Sequence, residues 1–155
     1  MENIVKVMEN IKSIKEIDFT FEKYIELLDL YSNIDEKIKM NYERFNLILS
    51  NIKSNLNHNI FIYLDSSSNI LGAITLLLEQ KFIHDGKYVG HIEDFVVKKE
   101  YRAKNIGSQL LNHAINVSKE NNCYKVILDC DERLVNYYGK YGFINKGKYM
   151  GLYFL

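Results

Sequence analysis

Apolar positions along the chain change period several times, and each change predicts an element. Asn10 to Ile14 predicts a short strand, after which Phe21, Tyr24, Ile25 and Leu28 mark one face of a first helix. Asp35 is placed to cap a longer helix with Ile38, Tyr42, Phe45, Leu49 and Ile52 on its apolar stripe. The runs "NIFIYL" and "ILGAITLLL" then read as two strands joined by the polar turn "DSSSN", a hairpin by composition and spacing. Beyond the connection "EQKFIHDGKY", "VGHIEDFVV" predicts a long strand with two acids at its centre. Ile106, Leu110, Ala114 and Val117 return to helical spacing, and Leu111 and Ile115 widen that face. "YKVILDC" predicts another strand, "RLVNYYGKYGF" a short helix through Leu134, Tyr137, Tyr138 and Tyr141, and "KYMGLYFL" a last strand.

This order predicts an α+β (mixed α/β) fold, a central mixed sheet flanked by helices. "VGHIEDFVV", the following helix and "YKVILDC" form a strand, crossover, strand unit, which is right-handed by the general chirality of such units. No linker, repeat or low-complexity segment divides the chain, and 155 residues suit one domain spanning 1–155. With no proline, the turns fall to glycine, asparagine, aspartate and serine. Twenty basic and twenty acidic side chains cancel, leaving no broad positive field for nucleic acid or anionic lipid. No apolar run reaches bilayer length, and the beginning alternates apolar and charged residues without a signal-peptide core. Two cysteines are too few for a secreted disulfide framework, so a reducing, cytoplasmic setting is expected.

Acids inside an apolar strand need a reason, because burying an unpaired carboxylate is costly. In a regular strand Glu93 and Asp94 point to opposite faces, whereas a bulge brings both to one site. Glu93 is either a catalytic acid or a partner for Lys125 or a neighbouring backbone group. Asp129, at the carboxyl end of "YKVILDC", stands where sheet enzymes keep reactive groups, the alternative being a cap on the next turn. Tyr138 reads first as core packing with a tethered hydroxyl. The loop "KKEYRAKNIGSQL" offers exposed N–H groups at a helix start with Arg102 and Lys104 beside them, an anion site or a solvated connection. His84, His91 and His113 lack metal-ligand spacing, so no metal is expected; His91 packs or hydrogen-bonds within its strand. Cys123 and Cys130 read as buried small side chains.

The run "GHIEDFVVKKEYRAKNIGSQLLNHAINVSKENNCYKVILDCDERLVNYYGKYGF" resembles the glucosamine 6-phosphate N-acetyltransferases of the GNAT superfamily, with "GHIED" and "NCYKVILDCDE" as its most specific parts. The resemblance weakens through the preceding strands and helices but covers nearly the whole chain. It implies the GNAT acyl-CoA N-acyltransferase fold, transfer of acetyl from acetyl-CoA to the 2-amine of D-glucosamine 6-phosphate, and a homodimer. It implies a cofactor site of Phe95, Val96 and Val97 on the strand and Arg102, Ala103, Lys104, Asn105, Ile106, Gly107 and Ser108 in the pyrophosphate loop. For the acceptor it implies Tyr31, Lys81, Phe82, Ile83, His84, Glu93, Asp94, Tyr124, Lys125 and Asp129. Glu93 and Asp129 then orient the amine, an N–H near Phe95 or Val96 stabilises the carbonyl oxygen, and Tyr138 stands beside the sulfur as the acid for the leaving thiolate.

Three departures from that pattern stand out. Asn105 replaces a glycine, although asparagine tolerates unusual backbone conformations. Leu134 replaces an asparagine that contacts the cofactor. Near the end, where relatives place an arginine that reaches the sugar phosphate, this chain has Leu152 and Tyr153. Transfer to another amine, an unphosphorylated amino sugar included, and a non-catalytic CoA-binding module are the alternative readings.

Overall fold

The computed structural model describes residues 10–36 and 38–154. Five strands form one sheet in the order of the chain: β1 (Ile11–Ser13), β2 (His58–Leu64), β3 (Ile70–Gln80), β4 (Tyr88–Val97) and β5 (Cys123–Ile127). The first four pair antiparallel and β4 pairs parallel with β5, so the sheet is mixed as expected. The helix that makes the parallel pairing possible is α3 (Ile106–Glu120), preceded by α1 (Phe21–Tyr31) and α2 (Tyr42–Ser54) and followed by the short α4 (Val135–Gly139).

Both sheet faces are covered, which is why β3 is a nearly continuous apolar run. On one face Tyr24, Leu27 and Leu30 of α1 and Phe45 and Leu49 of α2 pack over Ile62, Ile70, Ala73 and Val96. On the other, Ile106, Leu110, Leu111 and Ala114 of α3 pack over Ile74, Leu76 and Ile92, with Tyr137, Tyr138 and Tyr141 at the margin. Each such side chain contributes about 1.5–3 kcal/mol on full burial. Helix α3 approaches β4 closely at Gly90, where a Cβ would stand 2.8 Å from Ser118 Oγ and 3.1 Å from Leu76 Cδ1. Ser118 is fully buried there and donates to Ala114 O at 2.8 Å.

Three expected elements differ. The second helix begins at Tyr42 rather than after Asp35, because Asn41 Oδ1 accepts from Arg44 N at 2.8 Å and serves as the cap. Asp35 instead belongs to the turn leaving α1, its N–H donating to Tyr31 O at 3.1 Å, and Ile38 lies ahead of the helix. The last segment, expected as a strand, has no regular structure over 148–154. A strand needs a pairing edge and a covered face, and here Met150, Leu152 and Phe154 are 90%, 81% and 92% exposed. The strand from Cys123 also ends at Ile127, so Leu128, Asp129 and Cys130 leave the sheet.

Candidate active site

Where β4 and β5 stop pairing, the sheet opens. Their ladder runs from Tyr88 opposite Cys123 to His91 opposite Ile127; β4 then continues to Val97 while β5 ends. The backbone edge of Ile92 to Val97 is therefore left facing a cleft instead of a strand. Glu93 and Asp129 stand two residues beyond the last paired positions, one on each wall.

A bulge sets the chemistry of the β4 wall. Thr75 is opposite Glu93 and Ala73 opposite Val96, so Asp94 and Phe95 together face Ile74 alone. Asp94 takes φ 44° to make the turn. The extra residue returns Phe95 and Val97 to the α3 face and Val96 to the α1 face. It also brings the Asp94 charge close enough to act on both Tyr31 and Glu93. Of the two geometries the sequence left open, the bulged one is present.

Electrostatics follow from that crowding. Burial, then Asp129, then Asp94 push the Glu93 carboxyl above its ordinary range, only partly offset by His91. Burial, followed by Cys130 and Asp129, raises the Tyr138 phenol, so its hydroxyl keeps its proton and is a donor near neutral pH. Tyr138 also packs edge-on against Tyr137, with ring centroids 5.1 Å apart. The Tyr31 hydroxyl is raised chiefly by burial and next by Asp94, with Thr75 as its hydrogen-bonding neighbour. Thr75, buried at the middle of β3, belongs to this wall and was not singled out from sequence; its apolar neighbours hide it there.

At the paired end of β4, where the ladder with β5 begins, the connection Lys81–Lys87 folds back tightly. Lys81 N donates to Lys87 O at 3.0 Å and Gln80 Nε2 to Gly86 O at 3.1 Å. His84, Asp85 and Gly86 take positive φ in succession. The turn stacks His84 on Tyr124 of β5, with centroids 4.0 Å apart and planes 27° apart, while Lys125 Nζ lies 5.5 Å from the same ring centre. Lys81, His84, Tyr124 and Lys125, which the resemblance grouped, thus meet around one connection. Phe82 and Ile83 stand outward there, both exposed. His91 bonds Glu79 of the neighbouring strand through Nε2, 2.7 Å from Oε2, and His113 packs edge-on against Phe61.

The loop Arg102–Ser108 leads into α3. Ala103 and Asn105 both take positive φ, and Asn105 caps the helix without a side-chain hydrogen bond, leaving the first-turn N–H groups of α3 to other partners. Asparagine occupies the left-handed conformation expected of it. Gly107 has Tyr137 Oη, Phe95 and Val97 close around it; a Cβ would lie 3.2 Å from that hydroxyl and 3.4 Å from the Phe95 ring. Lys104 Nζ lies 5.1 Å from the Tyr101 ring centre, and Arg102 Nε donates to Val97 O at 3.2 Å. The cleft, the unsatisfied helix end and the missing side chain at Gly107 suit an extended ligand with an anionic portion. A polar recess of about 450 Å³ lined by Asp29, Ser32, Asn33, Lys98, Glu100 and Tyr101 adjoins the start of this loop and includes none of Glu93, Asp129 or Tyr138. Leu134 stands exposed just before α4. Among the described residues no group of three or more His, Cys, Asp or Glu is arranged to hold a metal ion, and no helix is long and apolar enough to cross a membrane. Cys123 and Cys130 are both free and half-buried, less enclosed than their small size suggested.

Known proteins share this fold. The solved structure of glucosamine-6-phosphate N-acetyltransferase from Arabidopsis thaliana superposes with a TM-score of 0.82 at 27% identity, covering 93% of this chain and 98% of that one. An acetyltransferase from Trypanosoma brucei superposes with a TM-score of 0.80 at 26% identity, covering 92% and 96%. Among sequences, glucosamine 6-phosphate N-acetyltransferase 1 of Dictyostelium discoideum is 38% identical over 112 residues, 72% of this chain and 69% of that protein. A probable glucosamine 6-phosphate N-acetyltransferase 2 of rice is 44% identical over 87 residues, 56% of this chain and 52% of its own length, so the chain spans about half of that relative. Residues 21–143, from the start of α1 to the end of the tyrosine-rich segment, match the Acetyltransferase (GNAT) family, and the chain belongs to that family.

Proposed function

We propose that this protein transfers acetyl from acetyl-CoA to the 2-amine of D-glucosamine 6-phosphate, giving N-acetyl-D-glucosamine 6-phosphate and CoA by direct attack in a ternary complex. The observation that carries the reading is the meeting of Glu93 and Asp129 across the strand opening, with the Lys81–His84 connection stacked on Tyr124 of the same strand pair. The relatives that bear the name of this activity add weight to it.

Each residue has a task in this reading. Acetyl-CoA supplies the activated acyl group. The first-turn N–H groups of α3, with Arg102 and Lys104 beside them, hold its phosphates, and Gly107 lets them come close. The β4 edge at Phe95 and Val96 offers an unpaired N–H where negative charge develops on the carbonyl oxygen. Glu93 and Asp129 hold the amine, and the raised Glu93 carboxyl makes it the better proton acceptor of an ordinary carboxylate, directly or through water. Tyr138 retains its proton and delivers it to the departing thiolate. Lys81, His84, Tyr124 and Lys125 bind the sugar and its phosphate, and Tyr31 and Asp94 close the pocket from the α1 side.

A homodimer belongs to the same reading. It is supported by the exposed apolar residues at 149–154; the Tyr149 hydroxyl among them is raised first by its neighbour Tyr153 and more weakly by Asp129 and Glu93. Balanced charge and two free cysteines favour a cytoplasmic setting. Purified protein incubated with acetyl-CoA is expected to release CoA only when the amino sugar is added, with mass spectrometry finding one added acetyl group on the sugar nitrogen. Release that ignores the sugar, or no release with it, contradicts the proposal.

A further inference from the structure

The register of β3 and β4 places a row of charged side chains on one sheet face. Thr75 faces Glu93, Leu77 faces His91 and Glu79 faces Val89, so Glu79, His91 and Glu93 share that face, with Lys81 continuing it two residues past Glu79. Within the row Glu79 bridges its neighbours. Its Oε1 lies 2.5 Å from Lys81 Nζ and its Oε2 2.7 Å from His91 Nε2. Lys81 is thereby fixed at one of its three donor positions, and two remain for an anion. His91, held in the tautomer that donates from Nε2, stands between this bridge and Glu93, on which it acts electrostatically.

We infer that Glu79 is a positioning residue for the acceptor: it holds the Lys81 ammonium ready for the sugar phosphate, with His91 on its other oxygen keeping the carboxylate in place. This rests on the reading that the acceptor is phosphorylated. The physical case is preorganisation. A lysine on a four-carbon stem loses much freedom when it grips a phosphate, and a lysine already tethered has lost it beforehand. The tether is durable, since Lys81 first and His91 second hold the Glu79 carboxyl below its usual range, so it stays ionised. Glu79 itself carries the same charge as the phosphate, so it is unsuited to touch the ligand and acts through its partners. The resemblance singled out Lys81 and passed over Glu79 because the bridge to His91 exists only once β3 and β4 are in register.

The test is a double-mutant cycle read with two acceptors. E79Q keeps the shape and removes the charge. It is expected to raise KM for glucosamine 6-phosphate about two- to tenfold, the range set by ordering one long side chain. The KM for glucosamine and acetyl-CoA affinity by calorimetry should stay unchanged. In a Lys81→Ala background E79Q is expected to add no further loss in KM for the phosphorylated sugar, because its partner is gone. Equal damage with both sugars, full additivity with Lys81→Ala, or no change in KM overturns the inference. The wild-type control separates the two layers: a wild type that treats both sugars alike removes the phosphate reading and this inference with it, whereas a phosphate preference with E79Q silent removes this inference alone.

Discussion

At the residue scale the account rests on protonation states set by neighbours. The Tyr138 hydroxyl is raised first by burial, with Cys130 and Asp129 as its next causes, so it keeps its proton at neutral pH. Tyr138→Phe is expected to lower kcat about a hundredfold, the usual worth of a placed acid, while calorimetry finds acetyl-CoA affinity unchanged. A matching loss of affinity would make it a packing residue. Glu93 permits a sharper test because its ionised form serves the reaction but costs the fold stability. A carboxyl whose folded pKa is raised holds its proton more tightly in the native state than in the unfolded chain. Its ionisation therefore reduces stability as pH rises from the ordinary carboxylate value through the folded one, and the deficit persists at pH 7. Glu93→Gln is expected to cut kcat/KM for the amine about a hundredfold and to leave the pH 7 melting temperature at or above that of wild type. The wild-type rate should also lose activity on acidification at a pH above the ordinary carboxylate range. A clear drop in melting temperature would mean that the Glu93 charge supports the fold rather than the reaction.

At the element scale, what could be read from sequence depended on whether a feature was local. The period of "ILGAITLLL" and of Ile106 to Val117 identifies β3 and α3 because burial of their apolar faces dominates. Asp129 was legible to within two residues, since the strand expected to carry it ends at Ile127, and the left-handed Asn105 was legible only through the resemblance. The bulge was not, since only pairing of β4 against Thr75 and Ala73 reveals that Asp94 is the extra residue. Asp35 and Asn41 are both good caps by composition, and Arg44's hydrogen bond to Asn41 decides between them. The final segment has a strand-like pattern, but pairing requires a neighbour that its sequence cannot specify. Close packing of α3 on β4 yields a stability prediction with little effect on function. Gly90→Ala brings a methyl to 2.8 Å from the buried Ser118 Oγ. It is expected to cost about 1–3 kcal/mol, or about 3–10 °C in melting temperature, with KM for both substrates unchanged. Retention of full stability would mean that the helix can retreat from the sheet without loss.

At the scale of the whole molecule, one opening in a mixed sheet brings together groups that the chain scatters from Tyr31 to Tyr138. The exposed apolar residues 149–154 lead to a test of assembly. Replacing Leu152 and Phe154 together by serine is expected to shift the solution mass toward the monomer and to raise KM for the acceptor more than that for acetyl-CoA. A mass that is monomeric before the change would remove the dimer from the account. Recognition of the phosphate is the central claim, because the chain has Leu152 and Tyr153 where its resemblance leads one to expect an arginine, and the burden falls on Lys81, His84 and Lys125. The most direct measurement compares kcat/KM for glucosamine 6-phosphate and glucosamine at matched pH and ionic strength. Charge-assisted hydrogen bonds from these side chains predict a preference of about ten- to hundredfold for the phosphorylated sugar; equal efficiencies, or a preference for glucosamine, would contradict it.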